Sequence, residues 1–309
     1  MNLTIKQLSY FKALATHRNF GRAAAACFVS QPAMSVQIRE LERTLNGRLV
    51  ERHARDIVLT PFGRQTLDYA NRILADVADL ERAARWRSGL AGKLALGMIP
   101  TIAPYLLPSA LAALRARDIS LDVQVMEGKT DRLIGLLEAG NLDAAVMALP
   151  SGVEGLTDVP LFEDRFLLAG TPARVDALEA AVESLQPTAL ENHQLMLLED
   201  GHCLTDQALD VCGRGRGHSQ INMGASSLST LSRLVEAGFG LTLMPELAAQ
   251  VEQAATPGIT LRRFAEPQPS RQIGLVRRAG SDDDGWFAEL ATLLTEVGQG
   301  LLQPKASVI

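Results

Sequence analysis

The residues of this chain with the most reactive side chains are its three cysteines, Cys27, Cys203 and Cys212. Three cysteines cannot build a disulfide framework, and an odd count is typical of a reducing compartment. Cys203 and Cys212 are nine positions apart, which is too far for a zinc knuckle, and no histidine cluster completes a metal site. Taken as an arbitrary pair, they are most simply two unrelated buried thiols or small hydrophobic residues. We therefore expect neither a metal nor a cofactor.

A second group of residues could read DNA. Ser30, Gln31 and Pro32 predict the start of a helix, with Ser30 as the N-cap and Pro32 in the first turn. Glutamine and arginine on its polar face suit the edges of adenine and guanine, although a lone polar face is more often simply solvated. The expected DNA contacts are Ser30, Gln31, Pro32, Ser35, Gln37 and Arg39 on the helix and Arg52 and Arg55 on a following basic hairpin.

The charge distribution indicates a basic N-terminal segment joined to an acidic remainder of the chain. Residues 1–60 hold nine lysines and arginines against four acids, so they carry +5, and because the whole chain carries −5 the remainder carries −10. This asymmetry is expected of a polyanion-binding module attached to another domain. The 47% hydrophobic and 21% charged residues exclude a disordered or collagen-like chain. Without a signal sequence or a run of about 18 apolar residues, we expect a soluble cytoplasmic protein with no membrane span.

The elements that must position these residues can be predicted from hydrophobic periodicity. Residues 1–60 predict short helices followed by two short strands, which together describe a winged helix-turn-helix, with Cys27 packed in its core. A long helix over 61–87 carries a wide apolar stripe that needs a partner helix, so we expect it to dimerise; the alternative is packing on its own domain. Residues 88–92 read as a hinge, so that 61–92 forms a linker.

Residues 93–309 alternate apolar runs of strand length with helical patterns, which predicts an α/β domain with a mostly parallel sheet. We expect two subdomains with a cleft between them, one from about 93–165 and 270–303 and the other from about 166–269. The predicted strands are Lys93–Ile99, Leu121–Met126, Asp143–Leu149, Gln194–Leu198, Leu241–Met244 and Gln272–Val276.

Three N-terminal segments resemble the DNA-binding domain of LysR-type transcriptional regulators: LSYFKALATHRNFGRAA, VSQPAMSVQIRELE and LVERHARDIVLTPFG. The resemblance implies a winged helix-turn-helix, a dimerising linker helix and an effector domain like type 2 periplasmic binding proteins. It further implies a homodimer or homotetramer that binds promoter DNA and acts with RNA polymerase, and not an enzyme. Val50 and His53 depart from the family, which more often has Phe and Thr there.

The rest of the chain resembles the members of this family that sense hydrogen peroxide. The similar segments are GMIPTIAPYLLP, EGKTDRL, LDAAVMAL, LMLLEDGHCLTDQALDVC, ASSLSTL, AGFGLTLMP and RQIGLVRRAGS. The resemblance implies that peroxide oxidises Cys203 to a sulfenic acid, which forms a reversible disulfide with Cys212. The disulfide would change oligomer geometry and promoter binding until glutaredoxin or thioredoxin reduces it.

The same resemblance implies which side chains surround the reaction. Peroxide would be bound by Thr101, Thr130, His202, Asp206, Gln207 and Arg271. Arg271 or His202 could favour the Cys203 thiolate, whereas Thr205 replaces an arginine of some relatives, so that one source of positive charge is missing. Asp143 and Arg278 align with candidate RNA polymerase contacts.

Helix geometry makes such a disulfide a switch. If Leu204–Val211 is helical, a rise of about 1.5 Å per residue places the two cysteine Cα atoms roughly 13 Å apart. A disulfide needs them within about 7 Å, so it could not form without unwinding the helix. Gly213, Gly215 and Gly217 supply a segment able to reorganise.

Two alternatives remain open from the sequence. One is a LysR-type regulator that responds to a small organic metabolite in the cleft, with incidental cysteines. The other is a cytosolic α/β enzyme with Cys203 as its nucleophile, which would have no need of a helix-turn-helix.

Overall fold

The chain forms two compact units, each with its own hydrophobic core. The computed structural model describes residues 3–52, 56–85, 93–119, 121–190, 195–213, 225–279 and 285–303. The first unit comprises Met1–Arg82 with Glu138–Asn141, and the second comprises Ala83–Leu137 with Leu142–Ile309. Arg55 and the predicted hinge at 88–92 lie outside the described residues.

The first unit begins with three helices, which are followed by a hairpin and a long helix. Its elements are α1 (Ile5–His17), α2 (Phe20–Ala26), α3 (Gln31–Thr44), β1 (Val50–Arg52), β2 (Ile57–Leu59) and α4 (Pro61–Arg85), with β1 and β2 antiparallel. The starts of the first three helices are fixed by Thr4, Asn19 and Ser30, whose side chains each accept a hydrogen bond from a backbone N–H of the first turn. The predicted winged helix-turn-helix is confirmed.

One face of α3 is buried, as its sequence period predicts. Met34, Ile38 and Leu41 are fully buried in the same core cluster as the apolar face of α1. Cys27, just after α2, is half-buried against this cluster, and burial raises the pKa of its thiol. This environment agrees with the predicted packing role for Cys27.

The long helix α4 packs part of its predicted stripe, Leu67, Ala70 and Leu74, against the core of its own unit, and it exposes a second apolar stripe. Phe62, Tyr69, Ile73 and Leu80 are all solvent-exposed, and their spacing of seven, four and seven positions places them along one side of the helix. At its start, a Cβ on Gly63 would lie 2.0 Å from the Leu49 carbonyl oxygen, so only glycine fits this close approach. None of the described helices, α4 included, has the length and apolar character needed to cross a membrane.

The second unit is built around one seven-stranded sheet. Its elements are β3 (Lys93–Met98), α5 (Ala103–Arg117), β4 (Asp122–Glu127), α6 (Thr130–Glu138), β5 (Ala144–Leu149), β6 (Leu156–Gly170), α7 (Pro172–Ala181), α8 (Cys203–Val211), α9 (Leu228–Glu236), β7 (Thr242–Pro245), α10 (Glu246–Ala255), β8 (Thr260–Arg263), β9 (Ser270–Arg278) and α11 (Trp286–Leu302). The strand order is β4-β3-β5-β9-β6-β7, and β8 also pairs with β6. The long strand β6 pairs with β9 up to Arg165, and from Phe166 onward with β7 and β8.

The α/β class is confirmed, but the prediction of a mostly parallel sheet is wrong. Among the described strands only β3–β4 and β3–β5 are parallel, whereas β5–β9, β6–β9, β6–β7 and β6–β8 are antiparallel. Alternation of strands and helices along the chain does not reveal that β9 returns between β5 and β6. The predicted strand at 194–198 is also wrong where it is described, because Leu195 and Leu198 form only isolated bridges. The predicted domain and subdomain bounds stay predictions.

Candidate functional site

The site starts at the carboxyl ends of two neighbouring parallel strands. Thr101 follows β3 and is buried, and Thr130 begins α6 after β4. Because β3 and β4 are parallel, their carboxyl ends share one edge of the sheet, which is where open α/β sheets bind ligands. The two threonines predicted to bind peroxide therefore follow adjacent strand ends.

A buried ion pair lies behind Thr101. Asp164 of β6 and Arg271 of β9 are direct partners in the antiparallel ladder, and both side chains are shielded from solvent. The Arg271 Nε and Nη2 groups donate to Asp164 Oδ2 over 3.0 and 2.8 Å, and Nη1 donates to Thr101 Oγ1 over 2.9 Å. The predicted residues Thr101 and Arg271 are thus in direct contact.

Asp164 was not predicted from the sequence. It belongs to β6, a strand that the hydrophobic pattern did not reveal because Pro160 and the charged run Glu163-Asp164-Arg165 interrupt it. Its partner is 107 positions away along the chain. The signal that could have identified it is an acidic residue opposite Arg271, which requires the β6–β9 register.

The cysteines lie at opposite ends of α8. Cys203 is the first residue of the helix and is half-buried, whereas Cys212 follows its last residue and is 2% exposed. The two cysteines are not joined in a disulfide. Nine residues of helix separate the two Cα atoms by about 13 Å, beyond the roughly 7 Å limit of a disulfide. The predicted helix between the cysteines is present, and the two thiols cannot join while it persists.

Lysine 129 connects the Thr130 segment to the segment that precedes Cys203. Its Nζ lies 2.7 Å from Glu199 Oε1 and donates to the Asp200 carbonyl oxygen over 2.8 Å. The hydrogen bond and the charge of Lys129 lower the pKa of the Glu199 carboxyl. This contact holds the loop that leads into α8 beside the start of α6.

His202, immediately before Cys203, is buried. Desolvation, followed by the positive charge of Lys129, lowers the pKa of this imidazole, and Glu199 opposes the shift. The lowered pKa makes His202 a weaker source of the positive charge expected to favour the Cys203 thiolate. The charge of Arg271 is already paired with Asp164.

Three of the predicted peroxide-binding side chains present buried polar atoms with no hydrogen-bond partner among the described residues. These atoms are Thr130 Oγ1, His202 Nε2 and Gln207 Oε1. Cys203 and Gln207 are four positions apart on α8 and so share one face of the helix. Because buried polar atoms are normally hydrogen-bonded, this arrangement favours a small polar molecule as ligand. Asp206, also predicted, lies in the first turn of α8 and is half-buried.

Two other predicted roles are affected by burial. Thr205, which replaces an arginine of some relatives, is buried and donates from its hydroxyl to the Leu198 carbonyl oxygen over 3.0 Å. Asp143 is also buried, and its carboxylate accepts a 2.7 Å hydrogen bond from the Ala95 backbone N–H. Asp143 therefore tethers two strands, and its burial argues against the predicted contact with RNA polymerase. Within the described chain, no group of three or more metal-binding side chains occurs.

The first turns of α3 present the predicted DNA contacts to solvent. Ser30, Gln31, Pro32 and Arg39 are exposed, whereas Ser35 and Gln37 are half-buried. Arg39 Nε donates to the Ser35 carbonyl oxygen over 3.3 Å, which aligns its side chain along the helix. Arg52 is the last residue of β1, and Arg55 is outside the described residues. Val36, an exposed apolar residue, lies on the same face.

Comparison with known families also separates an N-terminal helix-turn-helix segment from the rest of the chain. Residues 5–64 match the family model for the bacterial regulatory helix-turn-helix protein of the lysR family, and residues 87–299 match the LysR substrate binding domain. A probable hydrogen peroxide-inducible genes activator of Streptomyces viridosporus is 40% identical over 303 residues, which cover 96% of this chain and 95% of the relative. The DNA-binding transcriptional dual regulator OxyR of Escherichia coli K12 is 38% identical over 290 residues, which cover 94% of each.

A solved structure is similar over nearly the whole chain. It is a cysteine-to-serine mutant of Corynebacterium glutamicum OxyR with H2O2 bound, and it matches with a TM-score of 0.66 at 35% identity. The match covers 98% of this chain and 94% of that one.

Proposed function

The chain belongs to the LysR family of bacterial transcriptional regulators and is a DNA-binding regulator that senses hydrogen peroxide, and we propose that Cys203 and Cys212 are its redox switch. The observation that carries this proposal is the placement of the two thiols at the two ends of α8. Cys203 lies next in sequence to His202 and one helical turn from Gln207. Both neighbours have a buried polar atom, His202 Nε2 and Gln207 Oε1, that lacks a hydrogen-bond partner among the described residues.

The proposed chemistry takes place in two steps. The Cys203 thiolate attacks one peroxide oxygen, the S–O bond forms as the O–O bond breaks, and the departing hydroxide takes up a proton to leave as water. The Cys212 thiol then attacks the sulfur of the sulfenic acid, which forms the S–S bond and releases a second water. Thr101, Thr130, His202, Gln207 and Arg271 bind and orient the peroxide, with Asp206 beside them.

Formation of the disulfide requires α8 to unwind, because the two Cα atoms must approach from about 13 Å to within about 7 Å. This local refolding converts the oxidation into a change of shape that alters oligomer geometry and promoter binding. A thiol reductant such as glutaredoxin or thioredoxin reduces the disulfide and lets α8 form again. A regulator with this chemistry acts in the bacterial cytoplasm, where promoter DNA and reductants are both present.

DNA binding is assigned to α3 and the hairpin that follows it. Exposed Gln31 and Arg39 read base edges in the major groove, while Arg52 and Arg55 contact phosphate or the minor groove. The apolar stripe of α4 packs against the same stripe of a second copy, which gives a homodimer, and two dimers form a tetramer. The DNA-bound assembly acts on RNA polymerase.

Peptide mapping after oxidation tests the proposal. Reduced full-length protein is treated with near-stoichiometric peroxide, its disulfides are identified by mass spectrometry, and its promoter footprint is recorded in parallel. We expect a Cys203–Cys212 linkage and an altered footprint. Absence of the linkage, or a linkage with an unchanged footprint, would refute the switch.

Two serine variants separate the roles of the thiols. Cys203→Ser is expected to abolish the response to peroxide, whereas Cys212→Ser is expected to accumulate a sulfenic acid on Cys203 that a dimedone probe labels. Equal labelling of the two variants would show that the roles are assigned wrongly.

A further inference from the structure

Asp164 is a fully buried carboxylate for which the proposed mechanism gives no role. Its Oδ2 accepts two hydrogen bonds from Arg271, and its Oδ1 accepts the backbone N–H of Leu247, in the first turn of α10, over 2.9 Å. Three N–H groups therefore converge on this one carboxylate, and it is held from both β9 and α10. Its position fixes the plane of the Arg271 guanidinium.

The orientation of Arg271 in turn determines how Thr101 is hydrogen-bonded. With Nε and one Nη2 hydrogen directed at Asp164, the guanidinium presents Nη1 to Thr101 Oγ1 and Nη2 to the Thr101 carbonyl oxygen, at 2.9 and 3.3 Å. Because the Thr101 hydroxyl oxygen accepts from Arg271, its own hydrogen is directed elsewhere. The O–H group of Thr101 can then be donated to a ligand, while Arg271 occupies one lone pair of its oxygen.

We propose that Asp164 is a positioning residue, which holds Arg271 so that the Thr101 hydroxyl donates to the leaving oxygen of the peroxide, the one that Cys203 does not attack. This inference rests on the proposed function, because it needs Cys203 to be the site of peroxide attack. During the attack the S–O bond forms, the O–O bond breaks, and negative charge accumulates on the leaving oxygen before it takes up a proton. A hydroxyl polarised by a buried guanidinium stabilises that charge, and it does so without having to reorient.

The variant Asp164→Asn tests this role in the full-length protein, because it keeps the size of the side chain and removes its charge. We expect the rate of Cys203 oxidation by hydrogen peroxide to fall at least about tenfold, a typical effect of weakening one oriented donor. We expect alkylation of Cys203 by iodoacetamide, whose leaving group needs no such donor, to stay within about twofold of the parent. Asp158→Asn is the matched control, since Asp158 lies on the same strand and accepts from Ser151 instead.

Two outcomes would overturn the proposal. The first is oxidation of Asp164→Asn at the parent rate, and the second is an equal fall in oxidation and alkylation, which would indicate a general disturbance around Cys203. If the parent itself forms no sulfenic acid on Cys203, the proposed function fails, and that result is separate from either outcome for Asp164.

A double-mutant cycle keeps the test decisive if Asp164→Asn does not fold. Arg271→Lys retains a positive charge beside Asp164, but a single ammonium cannot reproduce the guanidinium fork that contacts both Asp164 and Thr101. If Arg271 acts in part through Thr101, Arg271→Lys is expected to slow peroxide oxidation by a larger factor in the parent than in a Thr101→Val background. Equal losses in both backgrounds would show that Arg271 acts on peroxide independently of Thr101, and would refute the proposed chain of contacts.

Discussion

Changing the stability of α8 should change the redox switch in a calculable direction. Asp210 is exposed in the last turn of this helix, where its negative charge faces the negative end of the helix dipole. Asp210→Ala removes that charge and introduces a better helix former, which together stabilise the helix by about 1 kcal/mol. Ala208→Gly, two residues earlier, destabilises the helix by about the same amount.

These changes bear on the disulfide because the reduced protein has α8 and the disulfide form cannot keep it. If unwinding is a rapid equilibrium that precedes attack by Cys212, about 1 kcal/mol corresponds to about a fivefold change in the rate of disulfide formation. For a two-electron couple the same energy corresponds to about 20 mV. We therefore expect Asp210→Ala to form the disulfide about fivefold more slowly and to have the less negative reduction potential. Ala208→Gly should change both in the opposite direction.

The assay follows the two steps separately. Dimedone trapping measures formation and decay of the Cys203 sulfenic acid, and titration in glutathione buffers measures the reduction potential. Formation of the sulfenic acid should be equal in both variants and the parent, because neither Ala208 nor Asp210 belongs to the peroxide site. Unchanged decay and potential, despite altered amide hydrogen exchange in α8, would refute the requirement for unwinding.

Three further predictions concern the other parts of the molecule. Arg39→Ala should weaken promoter binding at least about tenfold in an electrophoretic mobility assay. Arg115→Ala, which changes an exposed arginine of α5, is the control and should bind as the parent does. Equal binding by the parent and both variants would exclude Arg39 from the interface. Leu80→Asp should shift the protein toward monomer in sedimentation experiments, because Leu80 is 72% exposed on the α4 stripe. The control is Ile119→Asp, which should leave the assembly intact because Ile119 is 92% exposed outside that stripe. The pKa of His202 is lower in the folded protein than in the unfolded chain, so as the pH falls the unfolded chain takes up the proton at a higher pH than the folded protein does. The free energy of unfolding should therefore decrease as the pH drops below about 6.5. His202→Gln should flatten that slope in denaturant titrations, and an unchanged slope would contradict the assignment.

Local patterns predicted the elements whose burial repeats at a regular period. The face of α3 formed by Met34, Ile38 and Leu41 is an example, because a spacing of three and four specifies a helix whatever it packs against. The strand β6 was missed for the converse reason. Its sequence mixes a proline and three consecutive charges with apolar residues, and it is held in the sheet by pairing with three other strands.

The residues of the candidate site were predicted mainly through resemblance. The structure adds the contacts between them and the burial of their charged groups. The contact between Thr101 and Arg271 joins residues 170 positions apart, so no local pattern could reveal it. The environments of charged groups also depend on tertiary burial: the pKa of His202 is lowered by desolvation and by Lys129, and the buried Asp143 carboxylate accepts the Ala95 N–H. Such properties follow from the register of the strands and not from residue type.

The peroxide step and the disulfide step depend on opposite properties of the fold. Around Thr101 the structure is fixed by a buried ion pair that three backbone segments hold in place, which suits a site that must be organised before peroxide arrives. The helix α8 is the contrary case, because five of its nine residues, two of them aspartates, are weak helix formers and its N-cap His202 makes no capping hydrogen bond. It ends before Gly213, whose left-handed φ of 66° gives the chain a ready point at which to turn. A rigid pocket joined to a weak helix lets the attack on peroxide stay fast while the energy needed to unwind α8 stays small, and so the two steps can be altered by separate substitutions.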